Sequence, residues 1–277
     1  MANLEVLSAA PLMESLQSIE QKIASSSHVA LFLDFDGTIS QIVPVPKDAV
    51  IEPGVRTALE ALMERPDFSV SIVSGRALAD VRQRAGLKGV NWVGNHGLEI
   101  EAGSTSFREP RAETLRRELR SLMLQLKFAL GDVEGAEVED KCFTLSVHLR
   151  RVAEHTHDWV RTTVSDIVSR SRSFSSRQGK LVLEVRPYLE WHKGSAVRYL
   201  LREVLPPGAL PVYLGDDVTD EDAFRAIPEG ITIKVGEPGG TQAQYLVPDV
   251  PTVGNFLTWL NQAKAHAPFA NSKRAGK

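Results

Sequence analysis

Two aspartates in the N-terminal part of the chain stand where paired carboxylates could bind a cation. Val29 to Leu33 is an unbroken apolar run of the length of a strand buried on both faces, and Asp34 and Asp36 follow it. Open parallel sheets bind their ligands beyond the carboxyl ends of the strands. Two acids one residue apart at such an edge repel each other, and a hard cation such as Mg²⁺ suits oxygen ligands better than zinc or copper does. The alternative is a polar turn at Gly37-Thr38, although a turn needs only one such acid.

A second group of acids follows another short apolar run, Pro211 to Leu214. The segment from Asp216 to Asp222 contains five acidic residues. A solvated loop or the acid-rich first turn of a helix would explain Glu221 and Asp222. Neither explains Asp216, which stands at the end of a predicted buried strand. If the two strands are neighbours in one sheet, their acids meet at the same edge, and the pattern predicts a divalent-metal site there.

The motifs around these acids resemble those of the haloacid-dehalogenase-like phosphatases. Asp34-Phe35-Asp36-Gly37-Thr38 resembles the first motif, Ser74 the second, Lys193 the third, and Gly215-Asp216-Asp217 with Asp220 the fourth. More narrowly, the chain resembles the trehalose-6-phosphate phosphatases over about residues 28 to 260. The first pentad is typical of the whole superfamily, whereas its combination with Gly-Asp-Asp-Val-Thr-Asp-Glu is specific to the trehalose-phosphate group. The other supporting segments are Val73–Arg76, Gly94–Gly97, Glu184–Pro187 and Lys193-Gly194.

The order of predicted elements indicates an α/β fold with an insertion. Strand candidates alternate with helical segments such as Pro53–Glu64 and Ser195–Leu205, as a parallel sheet requires. These candidates lie at 29–34, 69–73, 90–94, 211–215 and 231–235. From about Arg108 to Pro187 the predicted order is a helix near 111–130, strands near 134–149, a helix near 153–170 and strands near 172–186. The resemblance implies a haloacid-dehalogenase-like Rossmannoid core, residues 1–107 and 188–265, and an α/β cap at 108–187. The small and basic residues near the C-terminus predict a flexible tail at 266–277.

Alternation of apolar and polar residues predicts two faces for the cap strands. The predicted apolar faces carry Phe143, Leu145, Val147, Leu149, Leu181, Leu183 and Val185, and the polar faces carry Thr144, Ser146, His148, Arg150, Lys180, Glu184 and Arg186. A charged sheet face is often simply solvated, but the resemblance implies that this one closes over a sugar. Glu139 and Lys141 match the sugar-contacting pattern of the family. The parity of Lys141 places it with Phe143, so either a bulge lies near Asp140 or the paired strand begins after Lys141.

Other residues offer groups that suit a phosphate. The hydroxyl and free amides of Ser74-Gly75-Arg76 follow an apolar run, where they suit an anion, although a helix N-cap is the alternative for Ser74. Lys193 precedes the predicted Ser195 helix, where a cation opposes the helix dipole unless a phosphate binds to both; a solvated lysine is the alternative. His96, in a glycine turn, is more often structural than catalytic.

The resemblance implies a role for each of these residues. Asp34 attacks phosphorus to give an aspartyl-phosphate, Asp36 protonates the leaving sugar oxygen and then activates water, and Ser74 and Lys193 bind the phosphoryl oxygens. The implied ligands of Mg²⁺ are Asp34, the Asp36 carbonyl and Asp216, with Asp220 orienting a bound water. The implied substrate-binding residues are Gly75, Arg76, Asn95, His96, Glu139, Lys141, His148, Arg150, Lys180 and Glu184.

Composition limits the class of protein and its partners. The chain has 277 residues and a net charge of -3, without a basic footprint for nucleic acid. Cys142 is the single cysteine, so an internal disulfide is excluded and a reducing compartment is favoured. No apolar stretch reaches transmembrane length, and residues 1–26 lack a signal-peptide pattern. We therefore expect a cytoplasmic protein, monomeric by default, that acts on a small sugar phosphate without a membrane partner.

Three alternatives to hydrolysis of trehalose 6-phosphate stay open from the sequence. The first is a phosphatase of a related glycosyl phosphate, such as sucrose phosphate or glucosylglycerol phosphate. The second is a non-catalytic sugar-phosphate sensor, against which the complete set of acids, Ser74 and Lys193 argues. The third is phosphoryl transfer to a second sugar, as in mutases.

Overall fold

The computed structural model describes residues 9–179 and 181–265, and within them the strands form one sheet of nine and one of four. The predicted tail at 266–277 and Lys180 lie outside the described residues. The strands are β1 (Ala10–Pro11), β2 (Val29–Leu33), β3 (Phe68–Val73), β4 (Asn91–Gly94), β5 (Glu99–Ala102), β6 (Thr105–Arg108), β7 (Glu137–Asp140), β8 (Leu145–His148), β9 (Phe174–Gly179), β10 (Val182–Pro187), β11 (Leu210–Gly215), β12 (Ile231–Val235) and β13 (Tyr245–Val247). The α-helices are α1 (Leu16–Ser25), α2 (Pro53–Met63), α3 (Leu78–Ala85), α4 (Pro110–Ala129), α5 (His157–Ser169), α6 (Lys193–Glu203), α7 (Glu221–Ala226) and α8 (Val250–Ala265).

The larger sheet lies between two layers of helices. Its order is β1-β13-β12-β11-β2-β3-β4-β5-β6, and every pair from β1 to β4 in this order is parallel. Strand β2 is completely buried, and its residues alternate between the layers: Leu31 packs in the core formed with α2 and α8, and Phe32 in the core formed with α6 and α7. An unbroken apolar strand is therefore what this position requires. The α/β class and the five predicted core strands are confirmed.

Several elements of this sheet escaped the sequence analysis. Strands β5 and β6 add an antiparallel hairpin at one edge, and β1 and β13 extend the other. Helix α6 begins at Lys193 rather than at Ser195, with His192 as its N-cap. Lys193 is thus the first helical residue, and its ammonium group is positioned by the helix itself.

The smaller sheet is antiparallel, in the order β7-β8-β10-β9, and α4 and α5 pack on one of its faces. Its core includes Leu145, Val147, Leu183 and Val185, on the face that alternation predicts to be apolar. All of these elements lie between Pro110 and Pro187, inside the segment expected to form the cap. We keep the name cap for residues 108–187, and the division into two folding units stays a prediction.

Two residues expected on the apolar face of the cap lie elsewhere. Leu181 occupies the turn between β9 and β10 with a φ of 58° and a relative exposure of 38%. Phe143 packs with Leu98 and Ala112 rather than in the core of the cap. Both residues lie in turns, where the two-residue repeat of a strand no longer decides the direction of a side chain.

The position of Lys141 also follows from a turn. Strand β7 ends at Asp140 and β8 begins at Leu145, so the paired strand begins after Lys141 and no bulge is needed. The Lys141 amide donates to the Thr144 carbonyl at 3.0 Å, and Cys142 has a φ of 78°. Arg150 lies beyond the end of β8 and is exposed, so its side chain is not part of the regular polar face either.

Candidate active site

Three carboxylates converge at the edge of the large sheet where β2 and β11 end. Asp34, Asp216 and Asp220 each offer one oxygen within 4.8 Å of the other two. Neighbouring parallel strands explain this meeting, because the Asp34 amide donates to the Leu214 carbonyl across the β2–β11 pair at 2.9 Å. Gly37 leaves room for Asp216, since a Cβ atom at Gly37 would lie 2.1 Å from Asp216 Oδ2. The sequence prediction that the two acidic segments come together agrees with this geometry.

Lys193 supplies the positive charge of this cluster from the first turn of α6. Its Nζ donates to Asp34 Oδ1 at 2.6 Å and to Asp220 Oδ1 at 2.7 Å, and the lysine is 2% exposed. Burial lowers the pKa of Lys193, but the charges of Asp220 and Asp34 outweigh it and hold that pKa above its usual range. The ammonium group is therefore a permanent cation within reach of any anion bound against Asp34.

Asp220 is held more completely than its two neighbours. Its Oδ1 also accepts from the Tyr213 hydroxyl at 2.7 Å, and its Oδ2 accepts from the Asp217 amide at 3.0 Å. Asp220 is fully buried. Its oxygens are thus already bonded, which suits a residue that orients the cluster better than one that binds an ion directly.

Asp34 and Asp216 have the properties expected of ligands to a hard cation. Asp216 Oδ1 is buried and has no hydrogen-bond partner among the residues that the structure describes. Burial, together with the charge of Asp220, raises the pKa of Asp216 to about 7. Burial also raises the pKa of Asp34, against the lowering effect of Lys193. A cation beside these oxygens would favour their ionised form, so this donor set fits Mg²⁺.

The carboxylate of Asp36 points away from the three-acid cluster. Arg76 binds it with two hydrogen bonds, from Nε at 2.6 Å and from Nη2 at 2.7 Å. Arg76 also donates to Asp80 and to the Pro46 carbonyl, and its guanidinium lies over the ring of Phe35. The side chain of Asp36 is therefore bound to Arg76 and is not one of the three clustered carboxylates.

The predicted phosphate and sugar residues next to β3 and β4 fall into two groups. Gly75, Arg76 and His96 line the cavity above the acids. Ser74 is buried at the end of β3, where its hydroxyl accepts from the Arg76 amide at 3.1 Å, the hydrogen bond of a turn or cap. Neither Ser74 nor Asn95 is among the residues that line this cavity.

Asn95 joins the core to the cap. Its amide group donates to the Lys141 carbonyl and to Glu99, each at 2.7 Å, and its carbonyl oxygen accepts from the Thr144 hydroxyl at 2.7 Å. Asn95 is completely buried. Both amide hydrogens are in use and the side chain is shielded from the cavity, so Asn95 positions the turn that carries Lys141.

His96 is half-buried, lies against Gly75 and has a φ of 57°. Its Nε2 lies 3.5 Å from Glu184 Oε1, too far for a good hydrogen bond, and neither ring nitrogen has a hydrogen-bond partner within the described part of the chain. Burial lowers the pKa of His96 to about 4. The ring is therefore neutral at pH 7, with one donor and one acceptor at the wall of the cavity.

Core and cap enclose one cavity of about 320 Å³ over the acids. Its floor includes Asp34, Asp36, Lys193 and Asp216. Its roof is formed by the cap: of the predicted sugar-contacting residues, Glu139, His148 and Glu184 line it from the strands, and Lys141 and Arg150 line it from just beyond the strand ends. Lys180 lies outside the described residues. Charged groups thus face the space from both floor and roof, with apolar residues beside them, which suits a small polyol that carries an anionic group.

Several residues of this site were missed in the sequence. Tyr213 lies inside an apolar strand, where nothing marks its hydroxyl as a partner of Asp220. Ile42, Val43 and Pro46 line the cavity from the loop after β2. Ser146 stood in the predicted polar face of the cap but was not singled out. Only the parity of β8 would have drawn attention to it.

The fold and the acid cluster define a haloacid-dehalogenase-like α/β protein with a cap. Residues 32–244 match the family model described as trehalose-phosphatase, so the chain belongs to the trehalose-phosphatase family. It is 37% identical over 255 residues to a trehalose-phosphate phosphatase of Mycobacterium tuberculosis, an alignment that covers 87% of this chain and 63% of that protein.

Two further comparisons show how much of its relatives the chain covers and which known structure its fold resembles. An uncharacterized glycosyl hydrolase of Mycobacterium tuberculosis is 36% identical over 260 residues, and the match covers 89% of this chain but only 19% of that protein. The chain thus spans less than two thirds of the length of these curated relatives. The crystal structure of a trehalose-6-phosphate phosphatase related protein is 25% identical, with a TM-score of 0.74, and the match covers 85% of this chain and 98% of that one. Among the described residues, no helix has the length and apolar character needed to cross a bilayer.

Proposed function

We propose that this chain is a Mg²⁺-dependent phosphatase that hydrolyses trehalose 6-phosphate to trehalose and phosphate, the last step of trehalose biosynthesis. The observation that carries the proposal is the shared cavity, in which Asp34 and Lys193 face the charged sheet of the cap. Membership of the trehalose-phosphatase family supports the choice of substrate. The proposal includes a cytoplasmic location, in keeping with the single cysteine, and a monomer stays the default prediction.

In this mechanism, Asp34 is the nucleophile. Its carboxylate stands at the base of the cavity, where an oxygen can attack phosphorus to form an aspartyl-phosphate as the sugar leaves. Mg²⁺ held by Asp34, the Asp36 backbone and Asp216 would offset the repulsion between carboxylate and phosphate. Lys193 is placed to bind a phosphoryl oxygen, where negative charge collects in a loose transition state.

Asp36 is the proposed acid and base. Proton donation to the leaving sugar oxygen requires one of its oxygens to be released from Arg76, because both are bonded in this structure. The same carboxylate then takes a proton from the water that cleaves the aspartyl-phosphate. Arg76 is thus proposed to position Asp36 as well as to face the substrate.

The cap residues are proposed to select the sugar. Glu139, Lys141 and Glu184 offer acceptors and a donor to hydroxyl groups, and His96 offers one of each from the core. We keep Ser74 as a phosphate-binding residue in this proposal, through rotation of its hydroxyl away from the Arg76 amide. Asn95 is proposed to hold the Lys141 turn rather than to contact the sugar.

The test is release of inorganic phosphate from trehalose 6-phosphate, sucrose 6-phosphate, glucosylglycerol phosphate and glucose 6-phosphate. We expect trehalose 6-phosphate to be hydrolysed fastest with Mg²⁺ and none to be hydrolysed with EDTA. Asp34→Asn is expected to lower the rate by several orders of magnitude, since a nucleophile works as part of a unit.

Other outcomes of the same assay would favour the alternatives. Equal turnover of all four substrates would refute the assignment to trehalose 6-phosphate. A parent protein as inactive as Asp34→Asn would favour a sugar-phosphate sensor, and a labelled second sugar that gains phosphate would favour a mutase.

A further inference from the structure

Of the cavity-lining side chains with an unpartnered polar atom among the described residues, Ser146 is the most completely buried. Ser146 is 1% exposed, and its Oγ has no hydrogen-bond partner within the part of the chain that the structure describes. A hydroxyl removed from water without a hydrogen bond is unfavourable in a folded protein. An unpartnered buried hydroxyl therefore needs an explanation, and a ligand that binds to the free protein would supply one.

The strand register places Ser146 in the middle of the cavity roof. It stands opposite Glu139 of β7 on one side and opposite Glu184 of β10 on the other. Directly opposed residues of antiparallel strands share one face of a sheet. All three residues line the cavity, so a small hydroxyl lies between two carboxylates on the side that faces the acids.

Both flanking carboxylates are already held by other groups. Glu139 bonds to His148 Nε2 at 2.8 Å. Glu184 is bonded by Arg186 and lies 3.7 Å from Lys141 Nζ. These contacts orient the two glutamates, and neither glutamate uses the Ser146 hydroxyl. The space in front of Ser146 is therefore lined by fixed acceptors and one rotatable group that can donate and accept.

A purely steric reason for a small residue does not explain the hydroxyl. Alanine would leave the same space between the glutamates and would bury no polar atom. The backbone of β8 is paired on both sides, with β7 and β10, so the hydroxyl is not needed to satisfy an open strand edge. Ser146 lines the cavity on the same sheet face as Glu139 and Glu184, which points instead to a bound hydroxylated ligand.

We propose that Ser146 is a specificity-determining residue whose hydroxyl binds a hydroxyl group of the sugar portion of the substrate. This inference rests on the proposed function, because it takes the occupant of the cavity to be a sugar phosphate. Ser146 does not contact the reacting phosphate in this proposal. Its loss should therefore weaken recognition of the sugar and leave the chemical step intact.

The experiment compares Ser146→Ala with the parent on two substrates. Trehalose 6-phosphate carries the sugar, and p-nitrophenyl phosphate has a leaving group without hydroxyls. We expect KM for trehalose 6-phosphate to rise about tenfold with kcat within a factor of two, the size of one neutral hydrogen bond. Both constants for p-nitrophenyl phosphate should stay within a factor of two of the parent.

The melting temperature of the ligand-free protein is a second measurement. A purely structural role of the Ser146 hydroxyl would make Ser146→Ala less stable, whereas a ligand-binding role predicts a more stable variant. Removal of an unpartnered buried hydroxyl should raise the melting temperature of the ligand-free protein, by about 2–4 °C for a chain of this size. Ser146→Cys, which keeps the shape but weakens the hydrogen bond, should behave more like Ser146→Ala than like the parent. Ser106→Ala, on exposed strand β6, is the matched control and should change neither readout.

The outcomes separate this inference from the proposed function. If the parent cleaves trehalose 6-phosphate and Ser146→Ala matches it, or loses both substrates equally, the role of Ser146 is refuted while the function stands. A lower melting temperature or loss of folding in Ser146→Ala would also overturn it, because the hydroxyl would then have a partner within the protein. A parent that cleaves p-nitrophenyl phosphate but no sugar phosphate would refute the proposed function, and the role of Ser146 with it.

Discussion

Replacement of Lys193 by methionine tests the electrostatic balance of the acid cluster. Methionine keeps an unbranched side chain of similar length and removes the charge. In the parent, the ammonium group lies 2.6 Å from Asp34 Oδ1 and 2.7 Å from Asp220 Oδ1. Without it, Asp34 and Asp220 lose the ammonium group that bonds to both of them.

The expected loss of stability follows from burial. The side chains of Lys193 and Asp220 are 2% and 0% exposed, so solvent screens this ion pair very little. Removal of one partner of a buried ion pair typically costs about 3–5 kcal/mol, because the other charge is left buried and unpaired. The loss should be smaller at pH 5 than at pH 8, because Asp34 and Asp216 have raised pKa values and can take up a proton.

Urea unfolding in EDTA, followed by circular dichroism, measures this loss directly. Lys22→Met, on the exposed surface of α1, is the matched control. Phosphate release by Lys193→Met should also fall by a factor of about 10²–10³ or more, the usual cost of one lost donor to a transition-state oxyanion.

A difference of less than about 1 kcal/mol between Lys193→Met and Lys22→Met would refute this reasoning, since a pair of that strength behaves as a surface ion pair. It would show that the three carboxylates share protons or reach solvent even without the lysine.

Two further predictions concern the metal and the cap. An acid with a raised pKa stabilises the fold below its unfolded pKa and loses that contribution as the pH rises through its folded pKa. Mg²⁺ binds the ionised form of a carboxylate, and the pKa of Asp216 is raised from 3.8 to about 7. We therefore expect the gain in melting temperature from Mg²⁺ over EDTA to grow between pH 4 and pH 7, as Asp216 becomes ionised. Calorimetry with Mg²⁺ and with EDTA at each pH measures this gain. The opposite effect of His96, whose pKa is about 4, is the same in both buffers and cancels in the difference. A gain that stays constant with pH would contradict the prediction. Thr144→Val leaves the buried Asn95 carbonyl oxygen without its donor and should cost about 1–3 kcal/mol in urea unfolding. The same variant should raise KM through the loosened Lys141 turn, and unchanged stability would show that Thr144 does not hold the cap.

The local sequence pattern was sufficient to predict the strands that carry the site and the acids that follow them. An apolar run followed by acids predicted where β2 and β11 end, and parallel pairing of these strands brings Asp34 and Asp216 to one edge. Asp34 and Asp216 are the first residues after their strands, so the strands themselves set the positions of both. That regularity is why the acid pair was predictable.

Turns were where prediction failed. Leu181 and Phe143 follow the alternation of nearby strands in the sequence, yet both lie in turns and point elsewhere. Asn95 and His96 adopt positive φ values of 48° and 57° without being glycine. Asn and His are enriched among the few non-glycine residues with positive φ, but this preference is too weak to predict the conformation at a given position.

The amino-acid sequence by itself determined the α/β class, the edge of the sheet that carries the chemistry, and the kinds of groups available there. Only the tertiary structure decided which of those groups are bonded to one another: Asp36 to Arg76, Asp220 to Lys193, and Asn95 to Thr144. The reason is physical. The positions of strand ends follow from local periodicity, whereas these hydrogen bonds join segments that are tens of residues apart in the sequence. The loops between those segments take a course that depends on the whole packed chain.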